Sequence, residues 1–208
     1  MPRPMRLCSP LCGAVQQELD RPWMVSSAQL IFGSPPLPQD NDVRAWGRRL
    51  QPVWQACFEA LEPGCRAIVH VPEHLPLRHP IVLDWEALGA DAMGAVLWQR
   101  EPLSRPPGTI RPDYEWVLIF KKPGRARRPD ADTKEQARMT AAEWNTWFAG
   151  HWTLPDPEAG EPFPAELLYR VLRMYSFPGD SVLCPWPDRG PVRSTLARLD
   201  RTLVSLNP

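Results

Sequence analysis

The apolar run Gln29-Leu30-Ile31-Phe32-Gly33 leads straight into Ser34-Pro35-Pro36-Leu37, and that junction limits what the chain can build. Each proline locks its φ and removes a backbone N–H, so a hydrogen-bonded ladder cannot continue through the pair. A strand over residues 28–33 therefore has to end at the rim of a sheet. Past that point the local carbonyls have no strand partner and face outward as free acceptors. The tetrapeptide reads as a rigid polar shelf behind a buried strand or, more plainly, as a proline-rich turn.

Strands and helices alternate along the rest of the chain. Val43, Trp46, Leu50, Trp54, Cys57, Phe58 and Leu61 recur at steps of three and four, the spacing of an amphipathic helix. Pro52 is expected to kink or divide that helix, and Glu62-Pro63-Gly64 to stop it. Strands are expected at 5–8, 66–71, 94–99, 115–121, 181–184 and 202–206. Helices are expected at 81–88, at 165–174 (opened by Pro164 in its first turn) and at 193–200. Residues 101–113 and 122–160, rich in Pro, Arg, Asp and Gly, read as loops with one short helix around 141–148. The alternation implies a layered α/β sheet.

With 208 residues the chain reads as one domain, and with 43% hydrophobic residues it can bury a full core. Lys+Arg and Asp+Glu both total 24, which excludes a strongly electrostatic nucleic-acid binder and leaves room only for a local patch. No apolar run approaches the ~18 residues of a membrane span. The odd, scattered set Cys8, Cys12, Cys57, Cys65 and Cys184, with no secretory leader, points to a reduced, cytoplasmic chain. Cys8 and Cys12 with His70 and His74 match no zinc spacing, so no metal is expected. His70, His74 and His79 read as ordinary loop histidines after a strand. Trp144, Trp147 and Phe148 share one helix face, with Trp152 beyond; they read as packing onto the sheet or as a partner interface.

In order, these segments resemble the permuted-class DNA amino-methyltransferases, which make N4-methylcytosine or N6-methyladenine. The family's strand and Ser-Pro-Pro-Tyr motif is answered by residues 30–37, and its helix and turn by 57–65. Its two later strands look like Val96-Leu97-Trp98-Gln99-Arg100 and Glu115-Trp116-Val117-Leu118-Ile119-Phe120-Lys121-Lys122. Pro162-Phe163-Pro164-Ala165-Glu166-Leu167 and the stretch Tyr175–Leu183 follow the family's most specific segment. The resemblance implies a Rossmann-like, S-adenosylmethionine-dependent methyltransferase fold with circularly permuted motif order and a mixed seven-stranded sheet. It makes residues 1–208 a single methyltransferase-like domain and 101–160 a loop-rich target-recognition or interface region within it.

It also implies a chemistry. The amino group on a base is a poor nucleophile because its lone pair is delocalised into the ring, so the base is flipped into a pocket. By resemblance Ser34 and Pro35 accept the amino hydrogens and, with Pro36 and Leu37, form the catalytic shelf. The family has an aromatic residue where Leu37 stands; base–aromatic stacking contributes about 1–3 kcal/mol. S-adenosylmethionine would lie beside Phe163, Pro164, Cys184, Trp186, Gly190 and Asn207. Here the family's glycine loop reads Cys184-Pro185-Trp186-Pro187-Asp188-Arg189-Gly190, with Cys184 for an acid and Asp188 for a glycine. Asn207 stands where the family has the acid that binds ribose. The basic cluster Lys121, Lys122, Arg125, Arg127 and Arg128 is a candidate for DNA contact, or else a solvated loop balanced by Asp130, Asp132 and Glu135. The function expected is a pseudo-methyltransferase that binds DNA or supports an active paralogue, as a homodimer or heterodimer. The alternative is an active DNA methyltransferase of low activity.

Overall fold

A computed structural model describes residues 26–35, 42–71, 75–100, 114–155, 157, 161–186 and 191–205. The strands are β1 (Ala28–Gly33), β2 (Leu61–Val71), β3 (Asp91–Arg100), β4 (Tyr114–Lys121), β5 (His151–Leu154), β6 (Ser181–Cys184) and β7 (Thr202–Ser205). The helices are α1 (Val43–Ala60), α2 (Leu75–Ala87), α3 (Ala131–Gln136), α4 (Ala141–Trp147), α5 (Ala165–Tyr175) and α6 (Pro191–Arg198). All seven strands form one sheet in the order β5-β3-β4-β2-β1-β6-β7. Only β4 runs against its neighbours; the other six are mutually parallel. The sheet therefore has a carboxyl edge, where six strands end and β4 begins, and an amino edge opposite.

Side chains alternate across each strand, and the two sets are buried separately. Ile31, Ala67, Val69, Leu118 and Leu183 face one layer with Trp46, Leu50, Trp54 and Cys57 of α1 and Ile81 and Trp85 of α2. Leu30, Phe32, Ile68, Val117 and Val182 face the other, with Leu167, Leu168, Val171 and Leu172 of α5 and Val192 and Leu196 of α6. Trp85 stacks on Phe120 at 5.2 Å, joining α2 to the middle of the sheet. Burial pushes the Cys57 thiol well above the ordinary range, and Cys184 adds to the shift.

The sequence placed these elements well, with instructive differences. Pro52 does not divide α1. Pro52 and Arg48 are both exposed, so the carbonyl the proline leaves unpaired faces water. Strand β2 starts earlier than expected, because the chain turns straight from Ala60 into pairing of Leu61 with Ala28. Helix α2 begins six residues earlier than the expected 81, running through Pro80. The segment expected as loop after β4 holds two helices, α3 and α4, and the strand β5. Asp130 caps α3, and Thr140 with Glu143 forms a capping box on α4. The expected strand at 5–8 lies outside the described residues, and β5 makes the seventh strand instead. No helix among the described residues is long and apolar enough to cross a membrane.

Lys122 ties the end of α1 to β4. Its Nζ donates to the carbonyls of Phe58 and Leu61, each at 2.7 Å, and lies 4.8 Å from the Phe58 ring centroid. A cation at the end of a helix satisfies orphan carbonyls and opposes the dipole. Lys122→Met should lower stability by about 1–2 kcal/mol, whereas Arg125→Ala on the same loop should stay within about 0.5 kcal/mol; urea unfolding of the two variants measures the difference.

Candidate active site

The strand order reverses between β1 and β6. From β1 the chain crosses through α1 to β2 on one side; from β6 it crosses through α6 to β7 on the other. The two helices cover opposite faces, so a crevice opens at the carboxyl ends of this pair, the place where open α/β sheets take ligands. Parallel pairing of Leu30 with Val182 and Ile31 with Leu183 brings Gly33-Ser34-Pro35 level with Pro185-Trp186.

Gly33 is the point of closest approach. A Cβ on it would lie 2.9 Å from Cε3 of Trp186 and 3.2 Å from Cδ of Pro185. The indole lies over the Gly33 backbone and meets Trp54 of α1 edge to face at 5.0 Å and 74°. Trp54 in turn contacts Trp85 at 5.7 Å. Trp186 is thus half-buried and braced from α1, while Pro35 is buried and Ser34 half-buried beside it. Cys184, the last residue of β6, is buried against the α5–α6 layer.

The other wall comes from the segment entering α5. Phe163 is buried and meets Phe32 at 5.0 Å and 87°; Pro164, also buried, occupies the N-cap of α5. Phe163 also meets His70 at 5.8 Å. His70 is not in a loop. It lies inside β2 on the face of Ile68, is fully buried, and pairs through Nε2 with the equally buried Glu115 of β4. Sequence reasoning missed this pair. The signal was alternation: His70 shares parity with Ile68, and Glu115 with Val117 and Ile119, so both belong to the inward-facing sets.

Of the residues singled out from sequence, Ser34, Pro35, Phe163, Pro164, Cys184 and Trp186 come together at the crevice. Pro36, Leu37, Gly190 and Asn207, and likewise Cys8, Cys12 and His74, lie outside the described residues. The basic cluster is placed elsewhere. Because β4 is antiparallel, Lys121 pairs with Arg66 at the amino edge, away from the shelf. Lys122 caps α1. Arg127 pairs with buried Asp180, which also accepts the Phe177 N–H at 2.8 Å. Arg125 and Arg128 are exposed. In the aromatic group only Trp147 and Trp152 pack inward, joined by a 2.9 Å bond from Trp152 Nε1 to the Trp147 carbonyl. Trp144 and Phe148 stack on each other at 4.2 Å and stay exposed. Among the described residues no cluster could hold a metal ion.

Residues 28–202 match the DNA methylase family, N6_N4_Mtase. The chain belongs to this family. It is similar to the type II methyltransferase M.MjaI of Methanocaldococcus jannaschii, at 26% identity over 74% of this chain and 61% of that protein. It is also similar to M.MthZI of Methanothermobacter thermautotrophicus, at 24% identity over 74% of this chain and 54% of that one. It therefore spans little more than half the length of these curated relatives. Among solved structures, TTHA0409 of Thermus thermophilus, assigned as a DNA modification methylase, superposes with a TM-score of 0.81 at 30% identity, over 93% of this chain and 86% of that one. That crystal holds S-adenosyl-L-methionine. The cytosine-N4-specific PvuII DNA methyltransferase shares the fold, with a TM-score of 0.66 at 13% identity over 87% of this chain and 75% of that one. The expected α/β methyltransferase fold, with its mixed seven-stranded sheet, is the one this DNA methylase family member has.

The packing at Gly33 sets a test. Gly33→Ala should cost about 1–3 kcal/mol, the usual penalty for overpacking, and shift the tryptophan emission as Trp186 is displaced. Adding Trp186→Leu should recover part of the loss, which thermal melts of the single and double variants measure.

Proposed function

We propose that this chain is an S-adenosylmethionine-dependent DNA amino-methyltransferase with a weakened hold on its methyl donor. Its own turnover is low, and it serves as a DNA-binding subunit or as the partner of an active paralogue. The observation that carries this reading is the meeting of Ser34-Pro35 with Cys184-Pro185-Trp186 at the reversal of strand order.

The crevice fits the donor in part. Phe163 and Trp186 offer apolar walls suited to adenosine, and Gly33 leaves the backbone open to close approach. When bound, S-adenosylmethionine would supply an electrophilic methyl group. The Ser34 hydroxyl and the Pro35 carbonyl can accept the two amino hydrogens of a flipped cytosine or adenine. That draws the lone pair out of the ring and steadies the charge that grows on nitrogen. Position 184 does not fit as well. The resembling enzymes have an acid there, and a buried thiol carries no charge to oppose the donor's ammonium. One lost charge-assisted hydrogen bond weakens binding by about 1.5–3 kcal/mol, or about ten- to hundredfold. Lys122 and Arg127 are engaged by protein groups, which leaves Lys121, Arg125 and Arg128 for phosphate contact at the amino edge.

A second reading, an active enzyme of low rate, is favoured by the likeness to TTHA0409 and its bound S-adenosyl-L-methionine. Titration calorimetry with the donor separates the two, together with transfer of labelled methyl to DNA. The main reading expects weak binding and negligible transfer by the chain alone. It also expects Cys184→Asp to tighten donor binding about tenfold while lowering the melting temperature of the free protein, since a carboxylate then sits in an apolar layer. Tight binding and steady transfer by the wild-type chain would establish the second reading instead.

A further inference from the structure

The pair His70–Glu115 stands out among the buried groups. Neither side chain is exposed, and both sit in the α5–α6 layer, where their neighbours on the strands are Ile68, Val117 and Val96. Taking two polar groups out of water is costly, and apolar side chains of similar size often serve stability as well or better. The pair is better explained by what it holds in place.

Its geometry points toward the crevice. The imidazole is tethered at Nε2 by Glu115, and its Nδ1 has no hydrogen-bond partner. The tether and packing thus set the plane of the ring. With that plane fixed, the ring meets Trp98 at 5.6 Å and 48° on one side and Phe163 at 5.8 Å and 77° on the other. Phe163 then meets Phe32, two residues before Ser34, at 5.0 Å and 87°. A line of contacts therefore runs from Glu115 on β4 through His70 on β2 to Phe163 and the end of β1. Phe163 lies in the irregular segment before α5, where no ladder fixes its backbone, so its pose depends on the rings it touches. Aromatic pairs favour edge-to-face approach, which makes the angle of the imidazole matter.

We propose that His70, held by Glu115, is a positioning residue of the donor site that acts through Phe163. Glu115 sets the ring plane of His70, His70 sets the pose of Phe163, and Phe163 shapes the wall against which the donor's adenosine lies. This rests on the reading above that Phe163 walls the donor site.

A double-mutant cycle on the full chain tests it, with S-adenosylmethionine affinity read by calorimetry and duplex DNA affinity as the control. His70→Gln can keep a bond to Glu115 but loses the ring; His70→Phe keeps a ring but loses the tether. Each should weaken donor binding about fivefold and leave DNA affinity within about twofold. In a Phe163→Leu background the same changes should add less than about twofold, because the group they act through is gone. A thermal melt confirms that each variant folds, and His70→Phe carries the comparison should His70→Gln fail to fold. Unchanged donor affinity, an equal loss with and without Phe163, or parallel losses for donor and DNA would each overturn the proposal while leaving the donor-site reading intact. Absence of donor binding by the wild-type chain at millimolar concentration would overturn both.

Discussion

The parallel pairing of β1 with β6 is the contact on which the rest of the molecule turns. These strands lie side by side but are far apart in sequence, and their onward crossovers leave for opposite faces of the sheet. That divergence opens the crevice. The close approach of Trp186 to Gly33 then sets how near the two strand ends can come. The indole is braced by Trp54, and Trp54 by Trp85, so the donor side of the crevice rests on the α1–α2 layer. The opposite wall, built around Phe163, rests on the α5–α6 layer. Each half of the core supports one side of the crevice.

Much of this was legible in the chain. The strand at 28–33 was readable because an apolar run meets two prolines, and the strand at 181–184 because it follows a Gly-Asp turn; both match the structure to the residue. The proline-rich shelf and the Cys-Pro-Trp segment were singled out separately, and the sheet brings them together. What escaped reading depended on long-range partners. His-Trp-Thr-Leu at 151–154 is too short and too polar to announce a strand, and it becomes one because β3 offers a free edge. His70 looked like a loop residue because a charged-type side chain seldom sits in a buried strand, and only Glu115, on a different strand, makes its burial tolerable.

The basic cluster shows a different limit. Its composition was plain, but its location depended on the direction of a single strand. Lys122 and Arg127 turned out to be occupied, one with the carbonyl end of a helix and the other with the carboxylate of Asp180. Charge in a sequence says little about which charges remain available once the chain has folded.

The reversed direction of β4 has a consequence for how such a molecule can diversify. Whatever joins Arg100 to Tyr114 must leave and return beside the shelf, whereas whatever follows Lys121 departs from the opposite rim. Insertions in the first connection would remodel the surface that greets a substrate. Insertions in the second would decorate the back of the protein and leave that surface untouched. One inverted strand thus sorts two neighbouring stretches of sequence into separate evolutionary territories.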